Sequence, residues 1–461
     1  MDGLAAATQK MLGAGIPQPA IDTFAYYYGQ LVDGATGMIP EDSVQPLRDV
    51  DRAAEVASTF SAKERRRAAS QTAVIKLNGG LGTSMGMDRA KSLLPVHGER
   101  TFLDLTVAQV QHVRKELDVQ LPIVFMNSFA TDADTLAALA QYDLEVGDIP
   151  LRFLQSREPK LRAADLTPVE WPADPTLEWC PPGHGEVYSA LASSGVLQAL
   201  LDAGIRYAAV SNSDNLGASP DPAMMAWFAA TGAPYAAEIC RRTPQHVKGG
   251  HLVVRRSDGR LILRELAQTP EDDRDAAADL ERHRYFHTNN LWFDLRRVDE
   301  VLRARKGILG LPLIVNPKTV DPSDPESTPV LQIESAMGAA IEVFEGAVAI
   351  EVDLSRFQPV KTTNDLLLMR SDVFELAADA RLDAKVEPPL VRLDPAFYGT
   401  VAQLEARIPE PPSLRRAQSL TVDGDWTFGP GVIVEGDVRL GDVAPGEGAP
   451  SGQVPDGSRL G

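Results

Sequence analysis

The chain has 461 residues, 44% of them apolar and 24% charged, which is the balance of a soluble globular protein with one large domain and smaller appendages. Lys plus Arg number 45 against 64 Asp plus Glu, a net charge of −19 that argues against nucleic-acid or anionic-membrane partners but not against a phosphorylated ligand held by a few local cations. No apolar run approaches the roughly 20 residues of a membrane span. Met1-Asp2-Gly3-Leu4 lacks the parts of a signal peptide. Cys180 and Cys240 read as buried free thiols, so a cytoplasmic location is expected.

In chain order, residues 1–70 read as a helical, polar segment. Helical spacing covers Ala5 to Leu12, Asp22 to Leu31 and Ala53 to Ala69, with a turn over Ile39-Pro40-Glu41-Asp42-Ser43. From residue 71 to 375 strands alternate with helices. Ala73-Val74-Ile75, Pro122 to Met126 and Ala208-Ala209-Val210 are strands; Phe102 to Leu117 and Thr131 to Tyr142 are helices. That alternation predicts an α/β fold, a mixed but mostly parallel sheet with helices on both faces. Leu252 to Arg256 and Leu261 to Glu265 flank Ser257-Asp258-Gly259-Arg260 as a hairpin inserted in the sheet. Glu271 to Arg284 is charged enough to be an exposed helix or mobile loop.

Residues 376–461 differ. Leu420, Trp426, Val432 and Val438 recur every six positions, with a turn residue four later, the signature of a small C-terminal left-handed β-helix. About three rungs are few for such a coil, so it should lean on the main domain. The tail after Val443, rich in Gly, Pro and Ser, is expected to be loose.

The first chemical signal is the run Lys76-Leu77-Asn78-Gly79-Gly80-Leu81-Gly82-Thr83-Ser84-Met85-Gly86, followed by Lys91. A strand opening into Gly-Gly-x-Gly exposes successive backbone N–H groups that can cradle an anion, and Lys91 can add a full positive charge. The spacing is neither that of the P-loop nor that of the dinucleotide fingerprint. Taken alone, the loop reads equally as a tight turn, and Lys91 as an ordinary surface lysine.

Lys76 to Lys91 resembles the signature loop of the eukaryotic-type UTP–glucose-1-phosphate uridylyltransferases, and further blocks follow in that family's order. They include Met126-Asn127-Ser128-Phe129, Gln155-Ser156-Arg157, Pro181-Pro182-Gly183-His184-Gly185, Asn212-Ser213-Asp214-Asn215, Lys248-Gly249-Gly250, Thr288-Asn289-Asn290 and Pro359-Val360-Lys361-Thr362-Thr363. The resemblance implies a Rossmann-like nucleotidyltransferase sheet. The reaction it implies is attack by glucose 1-phosphate on the α-phosphorus of UTP. Such a site must position two polyanions and cancel their charge, without a nucleophilic side chain.

By the same resemblance Leu77, Asn78, Gly79 and Gly80 bound the nucleotide, and Lys91 reaches its phosphates. Gln155 and Gly183 read uracil, and His184 donates to the sugar phosphate. Asn212 and Ser213 line the substrate site, and Asp214 holds Mg²⁺. Lys361, at a helix start with free N–H groups, forms a second cationic focus. Asn289, within Thr288-Asn289-Asn290, and Glu334 choose the sugar. The family's Gly-Pro before the lysine is Arg89-Ala90 here, which should alter loop stiffness and substrate affinity. A broader or N-acetylhexosamine specificity keeps the same chemistry, and a non-catalytic sensor would be expected to lack Lys91, Lys361 or Asp214.

Overall fold

The computed structural model describes residues 3–243, 246, 249–441 and 452–461. Its centre is an eight-stranded sheet in the order 51–52, 348–351, 235–241, 285–294, 207–212, 72–78, 123–127, 152–154. Seven strands run the same way; only Tyr285–Asp294 is antiparallel to its neighbours. The expectation of a mixed, mostly parallel sheet holds. The strand Thr72–Asn78 is buried throughout, as a central strand covered on both faces must be. Ala73, Ile75 and Leu77 enter one core with the helices Val187–Ser193 and Leu295–Ala304. Val74 enters the other with Phe102–Leu117 and Pro222–Thr231.

The first two helices, Gly3–Gly13 and Gln18–Val32, bury Met11, Ile21, Phe24 and Tyr27 in the first of these cores. The helix read over Ala53 to Ala69 is instead broken at Phe60. Ser61 caps a new helix, Ala62–Ala69, by accepting the Glu64 N–H while Glu64 returns to the Ser61 N–H, a capping box that outcompetes helix continuation. The hairpin His251–Arg255/Leu261–Arg264 forms, but outside the main sheet: it pairs with Val44–Pro46 in a separate three-stranded sheet.

The segment read as an exposed helix or mobile loop over Glu271 to Arg284 is pinned. It holds one short helix, Arg274–Ala278, and buried His283, whose Nε2 lies 2.9 Å from the Glu41 carboxylate. Fully buried Arg264 donates to that same carboxylate, and Arg282 lies 2.7 Å from it. A buried carboxylate needs such partners, so Glu41 is an anchor within what reads in sequence as a polar turn.

The C-terminal strands stack in parallel. Leu390–Leu393 pairs with Ser413–Val422, which pairs with Ile433–Leu440, which pairs with Arg459–Leu460. Leu420 lies over Val438, eighteen residues on, a spacing of three six-residue repeats. Leu420, Val432 and Val438 share a core with Phe102, Leu105, Leu366 and Leu367, so the stacked strands pack on the helices Phe102–Leu117 and Thr363–Arg370. Polar contacts tie the same parts: Thr363 donates to the Tyr398 carbonyl and the Leu393 N–H donates to Asn364. A Cβ on Gly86 would lie 2.8 Å from Thr400. The end of the tail is ordered where looseness was expected, since Gly452–Val454 and Arg459–Leu460 are strands of the stack; residues 442–451 lie outside the described residues. Cys180 and Cys240 are buried free thiols as expected.

Candidate active site

Open parallel sheets bind ligands beyond the carboxyl ends of their strands. Here the strands 72–78 and 207–212 end side by side, with Asn212 opposite Leu77 and the Ser213 N–H donating to the Leu77 carbonyl. From the first strand the glycine loop departs. A Cβ on Gly80 would meet no atom within 4 Å, so the space over it is open, and a Cβ on Gly79 would come 2.9 Å from Gln155 Oε1. The loop closes on itself through Lys91 N–H to the Gly80 carbonyl at 3.0 Å. Ala90, where the family has proline, keeps φ −52° and ψ 125°, a conformation proline also adopts. Arg89 is exposed.

Lys91 Nζ lies 2.7 Å from Asp214 Oδ2, and both side chains are about four-fifths buried (17% and 20% exposed). The phosphate-loop lysine and the strand-end carboxylate thus meet directly. On the other side of the glycine loop, Gln155 Nε2 donates to the Gly183 carbonyl at 2.9 Å, joining the two residues read as base readers. Gly183 has φ 80° and ψ 166°, a region essentially restricted to glycine, and a Cβ there would lie 2.5 Å from the Ser335 carbonyl. Its neighbour His184 accepts the Met337 N–H at Nδ1, at 2.9 Å. Burial pushes the imidazole down to about 4, so it is neutral and carries its proton on Nε2 as a donor.

Lys361 is exposed, with Nζ 6.0 Å from the Phe357 ring centroid. Its segment reaches Asp214's loop through the Asn215–Pro359 bridge. In a capping box the Asp365 carboxylate accepts the Lys361 and Thr362 N–H groups just before the helix Thr363–Arg370, and the Thr362 hydroxyl takes the Asp365 N–H.

Other sequence-predicted residues divide. Leu77 is a core residue, and buried Asn78 donates to Asn127 and Thr135, so neither offers its side chain to the cleft. Thr288 and Asn290 point to the Glu238 side of the central strand, where Thr288 donates to the Glu238 carbonyl and Asn290 to its carboxylate. Asn289 stands apart in the left-handed region at φ 60°, against His287, whose Nε2 is buried without a partner. Glu334 lies beside Gly183, its carboxyl raised by burial while Asn316 and Lys318 oppose the shift.

Three buried groups escaped the sequence reading. Lys76, wholly buried, donates to Ser211 and to the Ala218 carbonyl, tying both ends of the loop that carries Asp214. Burial, with Arg356 adding repulsion, pushes its ammonium down to about 7. Glu238 accepts both Arg356 Nε and Nη2 at 2.7 Å as well as Trp292 Nε1. Glu186 accepts the Ser156 N–H and O–H beside Gln155, and burial raises it to about 7. Lys76 and Glu186 sit inside the recognised blocks or beside them, but nothing in their spacing tells a buried charge from an exposed one.

A glycine loop, a lysine–aspartate pair and a glutamine–glycine pair thus gather at the ends of parallel strands, an arrangement of the kind a nucleotidyltransferase needs. The comparisons narrow this. The model of the UTP–glucose-1-phosphate uridylyltransferase family matches residues 21–435, and the chain belongs to that family. A UTP–glucose-1-phosphate uridylyltransferase of Saccharomyces cerevisiae is 40% identical over 374 residues, covering 80% of this chain and 73% of the relative. One from Hordeum vulgare is 38% identical over 392 residues, 84% of this chain and 80% of the relative. Among solved structures, a variant UDP-glucose pyrophosphorylase of Leishmania major in complex with UDP-glucose superposes with a TM-score of 0.90 at 38% identity, covering 100% of this chain and 98% of that one.

Proposed function

We propose that the chain transfers the uridylyl group of UTP to glucose 1-phosphate. A phosphate oxygen of the sugar ester attacks the α-phosphorus, the bond from that phosphorus to the bridging oxygen breaks, and pyrophosphate leaves with the electron pair as UDP-glucose forms. The observation that carries this reading is the Lys91–Asp214 pair at 2.7 Å beside the open space above Gly80. Family membership supplies the nucleotide and the sugar.

In this reading the N–H groups of Gly79 and Gly80 and the Lys91 ammonium hold the UTP phosphates, and Gln155 and Gly183 present amide edges to uracil. His184 donates from Nε2 to the sugar phosphate, Asn212 and Ser213 line its path, and Asn289 and Glu334 accept sugar hydroxyls. Lys361 is the second cation drawn to the phosphates during transfer. Among the described residues no group of three His, Cys, Asp or Glu side chains could hold a metal alone. Asp214 fits the other mode, in which Mg²⁺ takes one or two carboxylates plus substrate phosphates. Bound there, the ion would neutralise charge on the triphosphate. We place the enzyme in the cytoplasm, in keeping with its two free thiols, and read the C-terminal stack as a left-handed coil.

The test is pyrophosphate release with UTP, CTP, ATP and dTTP crossed against glucose-, galactose- and N-acetylglucosamine-1-phosphate. UTP with glucose 1-phosphate should give the highest kcat/KM. A higher value with the N-acetyl sugar would overturn the glucose assignment, and release with none of the twelve pairs would overturn the enzyme.

A further inference from the structure

Asp214 and Lys361 sit on different segments, 147 positions apart in the sequence. One buried side chain joins those segments. Asn215, 2% exposed, donates from Nδ2 to the Arg356 carbonyl at 3.1 Å and to Asn290 Oδ1 at 3.0 Å. Its Oδ1 accepts the Gln358 N–H at 2.8 Å, and its backbone bridges to Pro359, two residues before Lys361. The amide therefore grips the Lys361 segment at a carbonyl and an N–H on either side of Phe357.

The grip is rigid on both sides. Asn290 Nδ2 also reaches the Arg356 carbonyl, and the Arg356 guanidinium is held by Glu238 with two bonds of 2.7 Å. Behind Asn215 the two segments approach so closely that a Cβ on Gly217 would lie 2.4 Å from the Ser355 carbonyl. Buried backbone groups must be paired, and here Asn215 pairs two of them where no strand ladder does. A side chain with both ends engaged, to three groups on two segments, sets a distance, because sliding the Lys361 segment breaks at least two bonds at once.

We propose that Asn215 is a positioning residue, fixing the register of Lys361 against Asp214 without touching substrate. The proposal rests on the roles assigned above to those two residues. Misplacement of a catalytic group by about 1 Å costs on the order of 10²-fold in rate.

Steady-state kinetics and calorimetric UTP binding on Asn215→Ala, Lys361→Ala and the double variant test it. Asn215→Ala should lose about 30- to 100-fold in kcat with UTP affinity within about threefold, as for a defect confined to the transition state. In the double variant the loss should be within about threefold of Lys361→Ala alone, because a lysine already absent has no position left to lose. Asn215→Ser, smaller in its disturbance, should show the same non-additivity. Losses that multiply, unchanged kcat in Asn215→Ala, or loss of UTP binding along with turnover would each overturn the positioning role. Wild-type turnover in Lys361→Ala would remove Lys361 from the proposed mechanism and this inference with it. An impaired Lys361→Ala beside multiplying losses sinks the inference alone.

Discussion

Gly80→Ala separates the ligand from the fold. Gly80 has no positive φ, and a Cβ built on it meets nothing within 4 Å, so the folded chain accepts a methyl group there without strain. Replacing glycine at such a position restricts the unfolded chain and should raise stability by about 0.4–1 kcal/mol. A bound triphosphate, however, must come within hydrogen-bond distance of that backbone, where the methyl group would stand. Losing one or two charge-assisted bonds of about 1.5–3 kcal/mol each weakens binding by roughly 10- to 100-fold or more. The measurements are a chemical-denaturation midpoint and KM for UTP on the same preparation. A midpoint at or above wild type with KM for UTP raised at least tenfold is the expected pair. Wild-type KM would mean that no phosphate approaches Gly80, and the cradle would have to be given up. Gly183→Ala is the contrasting case, since its Cβ would strike the Ser335 backbone and should lower stability and UTP affinity together.

Lys91→Ala and Lys361→Ala should each reduce turnover by roughly 10²-fold or more, as for lost electrostatic stabilisers; single-turnover rates at saturating substrates check this, and near-normal rates would acquit the lysine concerned. Asp214→Asn should weaken the dependence on Mg²⁺, read as a shifted titration of rate against the ion, and an unchanged titration would move the metal elsewhere. Lys76→Met should change how stability depends on pH. The native ammonium loses its proton near pH 7 while an unfolded lysine keeps it to about pH 10.4. Between these values the unfolded state binds more protons, so wild-type stability should rise with pH relative to the variant. Urea midpoints of both proteins at pH 7 and pH 9 decide it, and parallel shifts would show that Lys76 is not held discharged.

The mostly parallel sheet was legible because β-branched runs alternate with helical spacing over several units, and short-period signals survive in a single sequence. The antiparallel strand 285–294 was not, because nothing in Tyr285-Phe286-His287-Thr288 encodes direction. The glycine loop, Lys91 and Asp214 were legible as a group only through their resemblance to the family's blocks, since each alone reads as a turn, a surface lysine or a strand end, and the structure brings Lys91 and Asp214 into contact. Asn78 and Asn290 show where such reading stops. Each lies in a block that resembles the family, yet each spends its amide inside the protein, on Asn127 and Thr135 or on Glu238. Whether a polar residue faces a cleft or a core depends on strand alternation and on what the neighbouring strand offers. The Asp365 capping box makes the same point, as its carboxylate folds back onto the Lys361 and Thr362 N–H groups, an engagement that the order of residue types does not announce.

The helical connection between the strands Leu390–Leu393 and Ser413–Val422 touches both lysine-bearing segments: Thr400 abuts Gly86 of the glycine loop, and the Tyr398 carbonyl receives Thr363 at the start of the helix that follows Lys361. That short stretch acts as a clasp between two segments more than 270 positions apart in the sequence. Trimming it back should therefore blunt catalysis before it unravels the sheet.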